Sequence, residues 1–123
     1  MMTRTQTAEK ILAMSPQELT DWLTESYVRD LPLPQSSAEF QKHNHLLGEL
    51  ANIYSFLMAL YASASVKVRE AKRKKKSKDE IDDCIARRDI LETFADLIKM
   101  QYSAFSRMIT VQKQADDEMR MQQ

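Results

Sequence analysis

The residues best suited to chemistry lie in one dense run of charge in the middle of the chain. Seven of the ten residues from Arg69 to Lys78 are Lys or Arg, and four of the next five, Asp79 to Asp83, are Asp or Glu. Clustered cations can hold phosphates, with an affinity that falls steeply as the salt concentration rises. No aromatic residue interrupts the run, so stacking on single-stranded bases is not expected there.

The same charges also suit the ends of two helices. Cations stabilise a helix C-terminus and acids a helix N-terminus, each by about 0.3–1 kcal/mol at low salt. We therefore favour solvated helix ends over a nucleic-acid site. Residues 66–83 nevertheless carry eight cations against five acids, a surplus that leaves contact with nucleic acid or a partner open. The candidate residues for that contact are Arg69, Lys72, Arg73, Lys74, Lys75, Lys76, Lys78, Arg87 and Arg88.

Metal binding and catalysis find little support elsewhere in the chain. His43, His45 and Glu49 are close in sequence, but the two histidines point in different directions on a helix, and a site needs three or four converging ligands. Cys84 falls at an apolar position, and no histidine is placed by sequence to activate it. No Gly-rich phosphate loop or paired catalytic carboxylates can be identified. We expect no metal, no cofactor and no enzymatic activity.

Composition indicates a single all-α domain spanning residues 1–123. Gly48 is the only glycine, the three prolines all precede residue 35, and straight-chain helix formers are plentiful. One cysteine fits a reducing compartment. The chain has neither 18 consecutive apolar residues nor the apolar centre of a signal peptide, so we expect a soluble cytoplasmic protein without a membrane segment.

The first clear helix signal is a capping box. Ser15 can cap, Pro16 suits the first helical position, and Glu18 stands three residues after the cap. We predict a short helix over residues 16–29. Residues 1–14, which begin polar and then show Ala8, Ile11, Leu12 and Met14, are expected to form a short helical turn or a flexible leader. The apolar face of this helix consists of Leu19, Trp22, Leu23 and Tyr27.

Two long helices follow an extended linker at residues 30–34, which contains two prolines. Apolar positions then repeat at alternate steps of three and four residues, the heptad spacing of helices that supercoil around a partner. We predict helices over residues 37–76 and 78–115, with a frayed tail at 116–123. The first stripe is Phe40, His43, Leu47, Leu50, Tyr54, Leu57, Tyr61, Ala64, Val68 and Ala71; the second is Ile81, Cys84, Arg88, Leu91, Ala95, Ile98, Tyr102, Phe105, Ile109 and Gln112.

The connection between these helices has two interpretations. No glycine or proline separates them, which favours one continuous helix that dimerises as a long coiled coil. The placement of charge and a possible cap at Ser77 favour a chain that folds back on itself. We predict the second arrangement: a long antiparallel helical hairpin whose tip, residues 69–78, is basic.

A second apolar row flanks the stripes and identifies a candidate interface. One short N-terminal helix is not expected to cover all of it, and uncovered apolar surface usually means a partner. A second copy of the chain would complete a four-helix core, so we expect a homodimer. The candidate interface residues are Leu46, Ile53, Phe56, Leu60, Phe94 and Leu97.

The second half of the chain also carries a resemblance. A Lys-rich helix end is followed by SKDEIDDCIARRDILETFADLIKMQYSAFSRMITVQK, with Arg87 and Arg88 early in the second helix and a Tyr102–Met108 end. This segment resembles small helical proteins encoded in the early, DNA-metabolism regions of tailed bacteriophages and prophages. The resemblance implies a phage origin and an accessory role near recombination or replication proteins, or in countering host defence.

The leading hypothesis is a non-enzymatic interaction and oligomerisation protein, phage-encoded and located in the host cytoplasm. One alternative is a nucleic-acid-binding accessory of recombination or replication that uses the basic tip. Another is an inhibitor that docks on a host defence protein. Retention on DNA at low salt favours the first alternative, and stoichiometric capture of one host protein favours the second.

Overall fold

The computed structural model of the protein describes residues 4–28 and 40–121, with side chains for 8–27, 45–111 and 113–121. These ranges contain helices and no strand, so the predicted all-α fold is confirmed. The helices are α1 (Arg4–Leu12), α2 (Pro16–Leu23), a π-helical turn (Thr24–Val28), α3 (Phe40–Arg73) and α4 (Lys78–Met121). The predicted linker at residues 30–34 and the predicted first residues of α3, 37–39, lie outside the described residues.

Helices α3 and α4 form the predicted antiparallel hairpin, and the continuous-helix alternative is wrong. Their lengths are about 50 Å and 65 Å at about 1.5 Å per residue. The heptad stripes form the seam between them: Leu50, Leu57, Ala64, Val68 and Ala71 of α3 and Leu91, Ala95, Ile98 and Phe105 of α4 are buried. Tyr102 is an exception, since 39% of it is exposed.

The chain reverses without glycine or proline through a Schellman motif at the end of α3. The Lys76 N–H donates to the Ala71 carbonyl at 3.0 Å, and the Lys75 N–H donates to the Lys72 carbonyl at 3.2 Å. These two bonds satisfy carbonyls that a helix end otherwise leaves unpaired. Lys75 has φ 53°, the left-handed conformation that the motif requires and that glycine normally supplies.

Serine side chains cap the starts of α2 and α4, as predicted for Ser15 and Ser77; the capping box predicted at Ser36 lies outside the described residues. The Glu18 N–H donates to Ser15 Oγ at 3.2 Å, and the Ser15 hydroxyl donates to a Glu18 carboxylate oxygen, also at 3.2 Å. At the second site the Glu80 N–H donates to Ser77 Oγ at 3.3 Å. The local sequence therefore determines where α2 and α4 begin.

Of the two arrangements expected for the N-terminal residues, the structure has the helical one rather than the flexible leader. Residues 4–12 form α1, and Ile11 and Leu12 enter the core with 2% and 7% exposure. Helix α1 packs on α3 and α2 packs on α4, where Leu19 and Leu23 are fully buried. The half of the hairpin nearer the tip is therefore a four-helix arrangement.

Helix α2 is attached to α4 close to the tip. Arg87 Nε donates to the Met14 carbonyl at 2.6 Å, which anchors the connection between α1 and α2. Residues 72–80 are exposed, so α2 does not cover the tip. The eight residues of α2, which contact α4, extend about 12 Å.

The π-helical turn ends the covering helix with an aromatic pair. Trp22 and Tyr27 meet edge to face with ring centroids 5.5 Å apart, a contact between residues five apart that the wider turn favours. Partial burial raises the pKa of the Tyr27 phenol, because removing water disfavours the charged phenolate.

Helix α4 continues beyond its predicted end. It stays helical to Met121, through residues 116–121 of the expected frayed tail, although these side chains are exposed. Away from the tip, the hairpin is thus a pair of helices with no described segment of the chain packed across it.

Candidate functional site

The predicted interface residues fall into covered and uncovered groups. Leu60 is buried with 2% exposure, and Phe56 and Phe94 pack half-buried against the core. Leu46 and Ile53 are also half-buried. Leu97 is 37% exposed. The two N-terminal helices therefore cover the flanking row near the tip and leave its continuation open.

On α4 the uncovered row extends farther than the residues predicted for it. Helical spacing leads from Ile90 and Phe94 through Leu97 to Ala115 without leaving one face. Met108 is 45% exposed and Val111 is 60% exposed, whereas Ile90 packs against the core. We call this part of the row the open face: the exposed residues Leu97, Ala104, Met108, Val111 and Ala115 of α4, together with the half-buried residues Gln101 of α4 and Leu46 and Ile53 of α3.

The open face shows what the sequence prediction missed and why. Ala104, Met108, Val111 and Ala115 were not among the candidate interface residues, because the candidates on α4 stopped at Leu97. The signal that identifies them is the 3–4 spacing, which continues from Leu97 through the small residues.

Of the predicted tip cations, one has an ionic partner among the described residues and six do not. Lys76 Nζ lies 3.8 Å from a Glu80 carboxylate oxygen, with both side chains more than half exposed. The other six cations of residues 69–78 form no ion pair with a described residue, and all are exposed. These six are Arg69, Lys72, Arg73, Lys74, Lys75 and Lys78.

Arg87 and Arg88 make contacts within the fold. Arg87 holds the Met14 carbonyl and has Nη1 3.9 Å from Cys84 Sγ, so it positions the N-terminal helices. Arg88 Nε lies 3.1 Å from a carboxylate oxygen of its neighbour Asp89. Arg87 and Arg88 thus have partners within the fold, unlike the six tip cations that are unpaired among the described residues, and they do not belong to the same group of free charges.

A cavity of about 300 Å³ lies behind the tip, between α1, α3 and α4. Its walls carry both signs of charge, and half-buried Cys84 lines it. Its charged lining residues are Lys67, Glu70, Lys74, Lys76, Glu80, Asp83 and Arg87. Because the acids offset the cations inside it, anion binding is favoured on the outer surface of the tip rather than here.

Two further grooves follow the sides of the hairpin. One of about 610 Å³ lies between α1 and the small residues of α3, beside Ala8, Ser55 and Ala59. The other, about 250 Å³ and almost wholly apolar, lies between Tyr54 and Tyr102. Neither is lined by a carboxylate, a histidine or a cysteine, so neither has a general base or thiol nucleophile of those types.

The candidate histidine His45 makes a surface contact with Glu49. His45 Nε2 lies 3.1 Å from Glu49 Oε1, and 78% and 55% of these side chains are exposed. Among the described residues no group of three His, Cys, Asp or Glu is placed to hold a metal ion. The side chain of His43 lies outside the described residues.

The segment His45–Arg73 of α3 is long and apolar enough to cross a membrane by length and composition. One such segment is weak evidence, because the core helix of a soluble protein passes the same test. In the described structure the segment contributes Leu50, Leu57 and Leu60 to the core.

Comparisons with known protein families, with curated proteins and with solved structures find no match for this chain.

Proposed function

We propose that this chain is a non-enzymatic helical interaction protein that self-associates through the open face. The observation that carries the proposal is the unequal covering of one apolar row. Near the tip, where α1 packs on α3 and α2 packs on α4, Leu60 is buried and Ile90 and Phe94 pack against the core. Farther along α4, Met108 and Val111 of the same row are 45% and 60% exposed.

A second copy fits the open face in shape and size. Near the tip, two helices, α1 and α2, pack on the hairpin. Farther from the tip, α3 and α4 of a second copy would supply two helices in the same way. Residues 97–121 extend about 37 Å, and two helices side by side are about 20 Å wide. The resulting area of about 700 Å² approaches the 800 Å² or so per partner of a stable interface.

The charges at the end of α4 favour association between copies. Lys113 and Arg120 stand against Asp116, Asp117 and Glu118, so both signs are present within eight residues. The whole chain has a formal net charge of zero at pH 7. Two copies therefore approach without strong mutual repulsion.

The resemblance to phage early-region proteins supplies the biological setting of this proposal. An accessory factor in the host cytoplasm, acting beside recombination or replication proteins, could use a dimer as an assembly unit. Docking on a host defence protein is the competing use of the same open face, and the experiment below separates the two.

The test is the molar mass in solution of three proteins, measured by light scattering at micromolar concentration. We expect twice the chain mass of 14.3 kDa for the unmodified protein. The double variant Met108→Glu, Val111→Glu places charges on the open face and should be a monomer with unchanged helical circular dichroism. The matched control Met58→Glu, Val66→Glu alters residues that are 36% and 43% exposed on α3, and should stay dimeric.

Two results would contradict self-association through this face. One is a monomeric unmodified protein that captures a single host protein stoichiometrically and loses it in the Met108, Val111 variant; this outcome assigns the open face to a host partner. The other is equal dissociation of both double variants, which would show a general response to added charge.

A further inference from the structure

The tip presents its charges where a large anion can reach all of them. Residues 66–78 carry eight cations and a single acid, Glu70. Of the four acids that follow, only Glu80 forms an ion pair with a tip residue. Six tip cations are exposed and without an ion pair to the described chain, which leaves a concentrated positive surface at one end of a neutral protein.

The backbone at Lys75 points to a role for these charges beyond capping. Lys75 has φ 53°, and it is the sole positive-φ residue other than glycine among the described residues. A side chain in this conformation costs roughly 1–2 kcal/mol that glycine avoids. The Schellman motif would be more stable with glycine at this position, yet a cation occupies it.

Repulsion within α3 is a second, separate cost. Within α3, Arg69 stands four residues before Arg73 and three before Lys72, in the last turns of the helix. Like charges at this spacing destabilise a helix by about 0.2–0.5 kcal/mol per pair. A capped helix end needs only one or two cations, so capping does not account for the rest.

From these observations we infer that the tip binds the phosphate backbone of duplex DNA. A duplex presents one negative charge per about 1.7 Å of its axis, so a surface as wide as two helices meets several phosphates at once. Contacts of this kind are independent of base sequence. Their residues are distinct from the open face, so this inference stands or falls separately from self-association.

The chemistry of the tip favours a duplex over other large anions. Single strands are held largely by stacking on aromatic side chains, and the chain has no aromatic residue between Tyr61 and Phe94. Anionic membranes hold helices that also insert apolar side chains. Residues 69–78 include one apolar residue, Ala71, which is buried.

The test is the fluorescence anisotropy of a labelled duplex of about 20 base pairs, titrated with the full chain from about 50 mM KCl upward. For four phosphate contacts, the slope of log K against log salt concentration should be about −3.6. The variant Lys72→Gln, Arg73→Gln, Lys75→Gln should make this slope shallower by about 2.7. The matched control Lys10→Gln, Lys99→Gln, Arg107→Gln removes as much charge elsewhere and should keep the slope.

A single substitution separates binding from folding. Lys75→Gly removes one cation while relieving the backbone at φ 53°, so the fold should be retained. Loss of one contact should weaken duplex binding about eightfold at 0.1 M salt. Unchanged affinity of this variant would overturn the role of Lys75 in binding.

Other outcomes overturn the inference as a whole. They are the absence of duplex binding at low salt, an equal loss of slope in the two triple variants, and tighter binding to single-stranded DNA of the same length. Phosphatidylcholine vesicles containing phosphatidylserine provide the remaining comparison: retention of the chain on vesicles without duplex binding would assign the tip to a membrane surface.

Discussion

Replacing Lys75 by glycine should stabilise the protein, although it removes a side chain and a charge. Lys75 occupies the left-handed position of the Schellman motif that ends α3. The hydrogen bonds of the motif come from the backbone of Lys75 and Lys76, so glycine keeps both of them. What changes is the contact between Cβ and the following carbonyl, which glycine does not make.

The expected magnitude is a balance of two terms. Relief of the left-handed conformation contributes about 1–2 kcal/mol. The greater freedom of glycine in the unfolded chain opposes it by about 0.4–1 kcal/mol. The net gain should be about 0.5–1 kcal/mol, or roughly 2–5 °C in Tm for a chain of this length.

Thermal and urea unfolding followed by circular dichroism measure this gain, with two control variants. Lys75→Gln removes the same charge but keeps Cβ, and should give little of the stabilisation. Lys74→Gly puts glycine one residue earlier, where the N–H donates to the Glu70 carbonyl at 2.9 Å as in a helix, and should not stabilise.

The comparison of Lys75→Gly with Lys75→Gln decides the cause. If glutamine stabilises as much as glycine, the gain comes from relief of charge repulsion and the strain argument is wrong. If glycine destabilises, the backbone at Lys75 is not held in the left-handed conformation. Either result would remove the argument from backbone strain at Lys75 and leave the exposed cations of the tip as the support for duplex binding.

Two further predictions concern other parts of the fold. Gly48 lies exposed in α3, and a Cβ added there would meet no atom within 4 Å. Gly48→Ala should therefore raise the free energy of unfolding by about 0.5–1 kcal/mol. An unchanged midpoint of urea unfolding would contradict this. Burial raises the pKa of Tyr27 in the folded protein above the value of about 10 that it has in the unfolded chain. The contribution of the neutral phenol to stability is therefore complete below the unfolded pKa, and it is lost as the pH rises through the folded pKa. Tyr27→Phe should therefore reduce the alkaline loss of stability in urea unfolding, and an identical loss in both proteins would show that other groups cause it.

The helices and their seam were predictable because they depend on local spacing. The stripe through Leu50 and Leu57 follows from heptad periodicity, and the cap at Ser15 from its distance to Glu18. The reversal was predicted from charge placement and Ser77. Its backbone conformation was not, because Lys75 carries no local signal for the left-handed region.

The role of the N-terminus was only partly predictable from its own residues. They begin polar and then supply Ile11 and Leu12, so the local pattern left a short helical turn and a flexible leader as alternatives. In the folded chain Ile11 and Leu12 find a surface that α3 and α4 create together. Arg87, a candidate for nucleic acid by its charge, instead anchors the Met14 carbonyl because folding brings residues 73 positions apart into contact.

The sequence by itself determined the helical class, the two apolar stripes and the basic tip, since composition and short-range spacing establish these before any long-range contact forms. Only the tertiary structure decided which part of the flanking row is covered. Burial of Leu60 and exposure of Val111 depend on where α1 and α2 dock. The place where α1 and α2 dock depends on surfaces that distant segments of the chain form together. The extent of the open face that they leave therefore follows only from the tertiary structure.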